Sequence, residues 1–432
     1  MTSGDKEIAI NPHLYRVDGE IGRFTFTCHH VVHEDKCQYN TALDLFSGLQ
    51  GLEFYKTIGF KEIAMIYGDT EKSYRKTITL INRIRYQIEE GTPSRTLHEC
   101  TKKEGQGVLC YIDAKTKRIL VNNGFSEDGE CQTIKAEYTN EEPETISEEQ
   151  ISAAIDQCME VTEINRDTLK SNPVPYENPR KSSCVAIDDV NVKKQEESRE
   201  MGIRKEERGK RKYVHNTIAH ISQAEEGNSY VLNGHGIKNV LVFLMAFLFH
   251  NGLIGTRIQF FTDGHKTLNT VILKSFSWYK NIGIILDWYH LEKKCKEMLS
   301  MALKGRVIRN NVLKELMPLL WYGSTDGAVA YLKGIAKSSI KDTETLDKLI
   351  AYFIRNKPYI PCYAVRKKLG LCNSSAIGEK MNDLVVSERQ KHNGMSWSKS
   401  GSVGLATITA LKRNKESDKW FREQELEFKL AA

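Results

Sequence analysis

The apolar positions gather into two short runs that each stop at an aspartate. RIQFF, residues 257–261, is rich in β-branched and aromatic residues and ends at Thr262-Asp263-Gly264, while IGIIL, residues 282–286, ends at Asp287. Apolar runs of this length closed by turn residues predict buried strands. Between them Leu268, Ile272, Leu273 and Phe276 recur at helical spacing, so the unit reads strand, helix, strand. Parallel strands joined in this way open their ligand site at the carboxyl ends, where both aspartates are expected. A single strand-ending Asp is equally a cap for the helix that follows. Two in succession, with His290 three residues after the second, point to a metal or acid/base site.

The pattern extends upstream. SCVAIDDVNVKK is an apolar run with Asp188 and Asp189 in its middle, YVHNTIAHIS and NSYVLNG read as two more strands, and residues 237–251 read as a helix. Its core, NVLVFLMAFLF, is too short to span a membrane and fits a buried helix. The order is strand, strand, strand, helix, strand, helix, strand.

Nearer the N-terminus, Phe60, Ile63, Ala64 and Ile66 line a short helix that Gly68 is expected to end. Asp69 or Thr70 can then cap a second helix with Tyr74, Ile78, Ile81 and Ile84 on its apolar side. That is the shape of a helix-turn-helix, whose outward Lys72, Ser73, Arg75, Lys76 and Thr79 suit phosphate and base contacts. A helical hairpin with a solvated polar face has the same pattern. LCYIDAKTKRILVN, residues 109–122, resembles a small hairpin, Ser147 can cap a later helix, and the proline-rich KSNPVPYENPRKSS marks the main domain boundary.

Composition narrows the setting. A chain of 432 residues allows two or three domains. The first twenty residues lack a basic start followed by an apolar run, which predicts an intracellular protein without membrane partners. Ten scattered cysteines are then expected to be reduced, with no disulfide framework. Net charge is +6, which permits nucleic acid as a partner, and Arg208, Lys210, Arg211 and Lys212 concentrate it. CHHVVHEDKC places Cys28, His30, His33 and Cys37 close enough to form a candidate structural Zn²⁺ site, although without a C-x-x-C pair a solvated loop is the alternative.

Three motifs in order carry a resemblance: Asp188-Asp189 on the first strand, Asp263-Gly264 with Asp287-Trp288-Tyr289-His290, and SSAIGEKMNDLVVSERQKHNGMSWS at 374–398. Together they resemble the DDE transposases of bacterial insertion sequences related to the Mutator group, which have an acid in a D-G motif, a C-x-x-H or D-x-x-H motif and a glutamate helix. The resemblance covers residues 180–415. It implies an α/β, RNase H-like catalytic core, a mixed sheet flanked by helices, with a helical insertion and a mainly helical DNA-binding region before it. The implied segments are 1–40 with the Cys/His cluster, 41–90 for DNA binding, 91–181 as linker and small α+β region, 182–299 as the first part of the core, 300–370 as the insertion, and 371–432 with the glutamate helix and tail.

The same resemblance implies Asp188, Asp263 and Glu379 as catalytic ligands of two Mg²⁺ (or Mn²⁺) ions. Relatives often have Asp-Gly at the first acid, so Asp189 stays open as an alternative to Asp188. A helical wheel puts Ile377, Met381, Leu384 and Val385 on the apolar face and Glu379 opposite, so periodicity does not select Glu379 unaided. Asp287 and His290 are implied as supporting residues, His290 orienting DNA or water or only bonding Asp287. The implied partners are double-stranded DNA, as terminal inverted repeats and target, and further copies of the chain assembled on it, in a bacterial cytoplasm at the nucleoid. The alternatives are a non-catalytic DNA-binding protein derived from a transposase and a metal-dependent nuclease without strand transfer.

Overall fold

The structure, a computed structural model, describes residues 8–9, 13–28, 30–32, 39–41, 56–70, 73–87, 91–133, 145–195, 212–223, 227–374, 376–391 and 395–430. Packing divides the chain into two compact units. One holds Met1–Tyr111, Val192–Val214 and Glu388–Glu427, and the other Ile112–Asn191, His215–Ser387 and Phe428–Ala432.

The first unit begins with two small antiparallel sheets built from β1 (Ile8–Ala9), β2 (His13–Asp18), β3 (Arg23–Cys28), β4 (His30–Val32) and β5 (Tyr39–Thr41). Helices α1 (Ile58–Thr70) and α2 (Tyr74–Ile84) follow. Phe60, Ala64, Ile78 and Ile81 are buried, as their spacing predicts, whereas Ile66 and Ile84 are exposed. Two expectations need correction. Gly68 does not end α1, because its backbone needs no positive φ and the helix continues through it. Ser73, not Asp69 or Thr70, caps α2, its hydroxyl accepting from the Lys76 N–H at 3.2 Å.

A further correction concerns residues 109–122, expected as a hairpin. They lie inside one long helix, α3 (Ser94–Asn122). From 108 to 122 its buried positions are Val108, Ile112, Thr116 and Leu120, a repeat of four that outweighs the strand-like look of the local apolar clusters. Within the first unit the helix Lys399–Arg413 packs on α3 at backbone distance, since a Cβ on Gly105 would meet the Gly404 carbonyl oxygen at 2.3 Å.

The second unit is a mixed α/β structure with helices on a five-stranded sheet. After α4 (Glu148–Met159), capped by Ser147, and α5 (Arg166–Lys170) come β6 (Ser182–Lys193), β7 (Tyr213–Gln223) and β8 (Ser229–Gly234). Helix α6 (Ile237–His250), strand β9 (Arg257–Thr262), helix α7 (Lys266–Ser275) and strand β10 (Ile282–Leu286) complete the expected order. The sheet order is β10-β9-β6-β7-β8. Strands β6, β9 and β10 are mutually parallel, and β7 and β8 are antiparallel. Asp189 meets Thr217 and Lys194 meets Lys212, so β6 and β7 also run in opposite directions.

Helix α6 is apolar all round and buries Val240, Leu241 and Phe243 through Leu248, as a helix enclosed by core must. Helix α7 makes the crossover that parallel strands require. Beyond β10 the chain is helical in α8 (Trp288–Ala302), α9 (Arg306–Trp321), α10 (Thr325–Lys333), α11 (Thr343–Asn356) and α12 (Tyr363–Lys368). These helices share one core with Phe261, Ile285 and Leu286 of the sheet, through Leu291, Leu299, Leu316, Phe353 and Tyr363 among others. Helix α13 (Ala376–Asn382) then runs into a π-helical segment, Asp383–Ser387, whose Val385 and Val386 are buried. Among the described residues no helix is long and apolar enough to cross a membrane.

Candidate active site

The site grows from strand register. Cys184 lies beside Gln259, which lies beside Gly283, and Ala186 lies beside Phe261, which lies beside Ile285. Neighbours in parallel strands point to one face and side chains alternate, so two residues further on Asp188, Asp263 and Asp287 fall on that same face. The chain leaves β9 and β10 at this level, the Asp287 N–H still bonding the Thr262 carbonyl at 2.9 Å. A narrow cleft opens here, lined by Ala186, Ile187, Asp188, Phe261, Thr262, Asp263, His290, Gly378 and Asn382.

Asp188 is a half-buried acid of the cleft. One oxygen accepts from the Asp189 N–H at 2.8 Å and the other from the Asn382 amide at 3.1 Å. Burial pushes its carboxyl up to about 6, with the nearby charges of Asp263 and Asp189 acting in the same direction and His290 against it. Its neighbour Asp189 accepts from the Thr217 hydroxyl on β7. Asp188, rather than Asp189, therefore lines the cleft.

Asp263 stands on a tight turn. Its carboxylate accepts from the His265 N–H at 2.8 Å, which opens α7, and its carbonyl accepts from the Tyr352 hydroxyl at 3.0 Å. Gly264 follows with φ +77°, and a Cβ there would lie 2.8 Å from Leu286 Cδ1 and 2.9 Å from the Tyr352 oxygen. Glycine is thus required beside this aspartate by both conformation and space.

Asp287 has a different setting. It is fully buried, caps α8 by accepting from the His290 N–H at 3.1 Å, and has the Ser374 hydroxyl 3.4 Å from both its oxygens. His290 Nδ1 lies 3.5 Å from it. His290 lines the cleft and Asp287 does not. Glu379 belongs to α13, one residue past Gly378 and three before Asn382, both of which line the cleft.

The donors suit a hard divalent cation. Two carboxylates, with a histidine beside them, face one small cleft, and oxygen ligands are what Mg²⁺ takes. Burial raises the proton affinity of Asp188, and a bound cation would favour its charged form. Among the described residues no group of three His, Cys, Asp or Glu side chains is close enough to hold a metal. The Glu379 side chain is outside the described set.

The remaining expected residues are dispersed. Arg75 and Lys76 are exposed in the first turn of α2, and Lys212 is exposed just before β7. Lys72, Arg208, Lys210 and Arg211 lie outside the described residues, as do His33, Cys37 and the side chains of Cys28 and His30. Sequence reasoning missed Asn382 and Gly378. Their spacing of four on one helix was the available signal, since it places both on one face.

No protein-family model matches the chain, and no curated protein does. Among solved structures the Drosophila P element transposase strand transfer complex is similar at 12% identity, over 89% of this chain and 85% of that chain, with a TM-score of 0.25, too low for the likeness to carry an argument.

Proposed function

We propose that the chain is a DNA transposase with an RNase H-like core, cutting phosphodiester bonds at element ends and joining the 3′-hydroxyl to target DNA. One observation carries this reading: Asp188 and Asp263, from adjacent parallel strands, face a single cleft closed by the helix that bears Glu379. The element order before that helix is the one the sequence resemblance implies, and the helices between Arg306 and Lys368 stand where it places an insertion.

In this reading Asp188, Asp263 and Glu379 would hold two Mg²⁺ ions, whose charge would serve to neutralise the phosphate and to lower the pKa of the attacking water or hydroxyl. The chain's own residues prepare the site. Asn382 and the Asp189 N–H orient the Asp188 carboxylate, and Gly264 lets the Asp263 turn pass beneath Tyr352. Asp287 fixes α8, so that His290 is held at the cleft wall, where it can orient a water or a phosphate oxygen. Arg75, Lys76 and the basic cluster ending at Lys212 hold the DNA backbone, and several copies assemble on it.

The test is nicking of a plasmid carrying element ends by the full chain with Mg²⁺. Asp263→Asn should lose several orders of magnitude in cleavage while DNA affinity barely changes. Strand transfer of a pre-cut end separates this reading from a plain nuclease. Undiminished cleavage by Asp263→Asn ends it.

A further inference from the structure

Two helices beside the cleft in the second unit carry basic side chains and an exposed ring. Tyr289, next to the cleft-lining His290, is 43% exposed, whereas Trp288 on its other side packs against Trp321 and Tyr363. The Tyr289 ring meets His290 edge-on at 5.8 Å, and Lys293 Nζ sits 6.0 Å from its centroid, one helical turn on. At the Asp263 side, the ring of Tyr352 is flanked by Lys294 at 6.0 Å and Arg355 at 5.6 Å. Lys296 of the same helix is paired with Glu292 at 2.7 Å. Among the described residues Lys293, Lys294 and Arg355 have no carboxylate partner.

A helix surface produces Tyr and Lys four apart without purpose, and that pair alone carries nothing. The placement is what matters. A cleft of carboxylates repels a polyanion unless cations stand near it, and here Lys293 stands beside Tyr289, the neighbour of cleft-lining His290, while Lys294 and Arg355 flank Tyr352, whose hydroxyl bonds the Asp263 carbonyl. An exposed aromatic face among cations is the combination that holds an unpaired nucleotide, the base on the ring and the phosphates on the charges. A duplex hides its base faces, so the ring has a use only where the strand is unpaired.

We propose that Tyr289 stacks an unpaired base of the strand lying at the cleft, with Lys293, Lys294 and Arg355 holding its phosphates. The proposal rests on the phosphodiester-cutting reading of the cleft and adds to it the state of the DNA bound there, a frayed or single-stranded end.

The test uses the full chain carrying Asp263→Asn, so that the DNA stays whole. Fluorescence anisotropy would compare a labelled blunt duplex, the same duplex with a single-stranded thymidine extension, and one whose extension is abasic. The extension should bind roughly ten-fold or more tighter than the blunt end, and the abasic extension should lose most of that gain. Tyr289→Ala should abolish the preference and Tyr289→Phe should keep it, while Lys293→Ala weakens all three ligands and flattens the salt dependence. Thermal melting checks that the variants fold. An unchanged preference in Tyr289→Ala, or an abasic extension as good as the thymidine one, overturns the stacking proposal and leaves the cleavage reading standing. Absence of DNA binding by the parent chain overturns both.

Discussion

Asn382 donates a hydrogen bond to Asp188 at 3.1 Å, although 194 positions separate them in the chain. The amide ties the helix that carries Glu379 to the strand that carries the first acid. Removing it should loosen that alignment more than it harms the fold. We expect Asn382→Ala to lower Mg²⁺-dependent cleavage by about ten- to a hundred-fold, as loss of a group that orients a ligand does, and to raise the Mg²⁺ needed for half-maximal rate. A metal titration of nicking checks this. Asn382→Asp should be worse, because it adds a like charge beside Asp188.

At neutral pH the Asp188 carboxylate is expected to lower the stability of the metal-free protein. Its folded carboxyl is raised from 3.8 to about 6, so the stability it contributes is fully present below about 3.8 and is lost as pH rises through about 6. Above that, holding the charge costs about 3 kcal/mol at most. Asp188→Asn should therefore stabilise the protein by about 1 to 3 kcal/mol at pH 7.5 without metal and change little at pH 4. Urea denaturation at the two pH values measures it, and added Mg²⁺ should narrow the gap at pH 7.5.

Arg75 and Lys76 start α2 on its exposed side. If they contact phosphates, each Ala substitution should weaken binding to every DNA sequence alike and reduce the salt slope of log K by about 0.9. Anisotropy across a salt series reads this directly. A loss confined to one sequence would instead indicate base contacts.

Gly68 offers a stability test. It lies within α1 and a Cβ there meets nothing within 4 Å. Gly68→Ala should raise stability by about 0.5 to 1 kcal/mol, since it removes backbone freedom from the unfolded chain without a clash. Thermal melting gives the answer, and destabilisation would show that the position needs glycine after all.

Much of the core was legible because its strands are apolar runs with polar ends. Asp188 and Asp189 show the limit of that signal. Successive strand residues face opposite sides, so one of the two had to enter the cleft, and only the register against Phe261 says which. Asp263 and Asp287 end their strands alike in sequence, yet Ser374, brought from 87 positions away, encloses the second. The misread hairpin at 109–122 failed for a local reason, since LCYI and RILV look like strand clusters until the four-residue repeat through Val108 and Leu120 is followed. Gly68 misled because glycine is a helix stop only where positive φ is needed.

The π-helical segment Asp383–Ser387 makes chain length itself a determinant of the site. In a continuous α-helix Val386, four residues after Asn382, would stand over the same face and turn toward the cleft. A π turn takes up one additional residue, which lets Asn382 face Asp188 while Val385 and Val386 stay buried. Loss of one residue between 383 and 387 would remove the extra residue and let a plain α-helix keep the same alignment. An α turn at the present length would instead rotate Glu379 by roughly 100° relative to those valines, an angular fault in the site with every cleft residue still present.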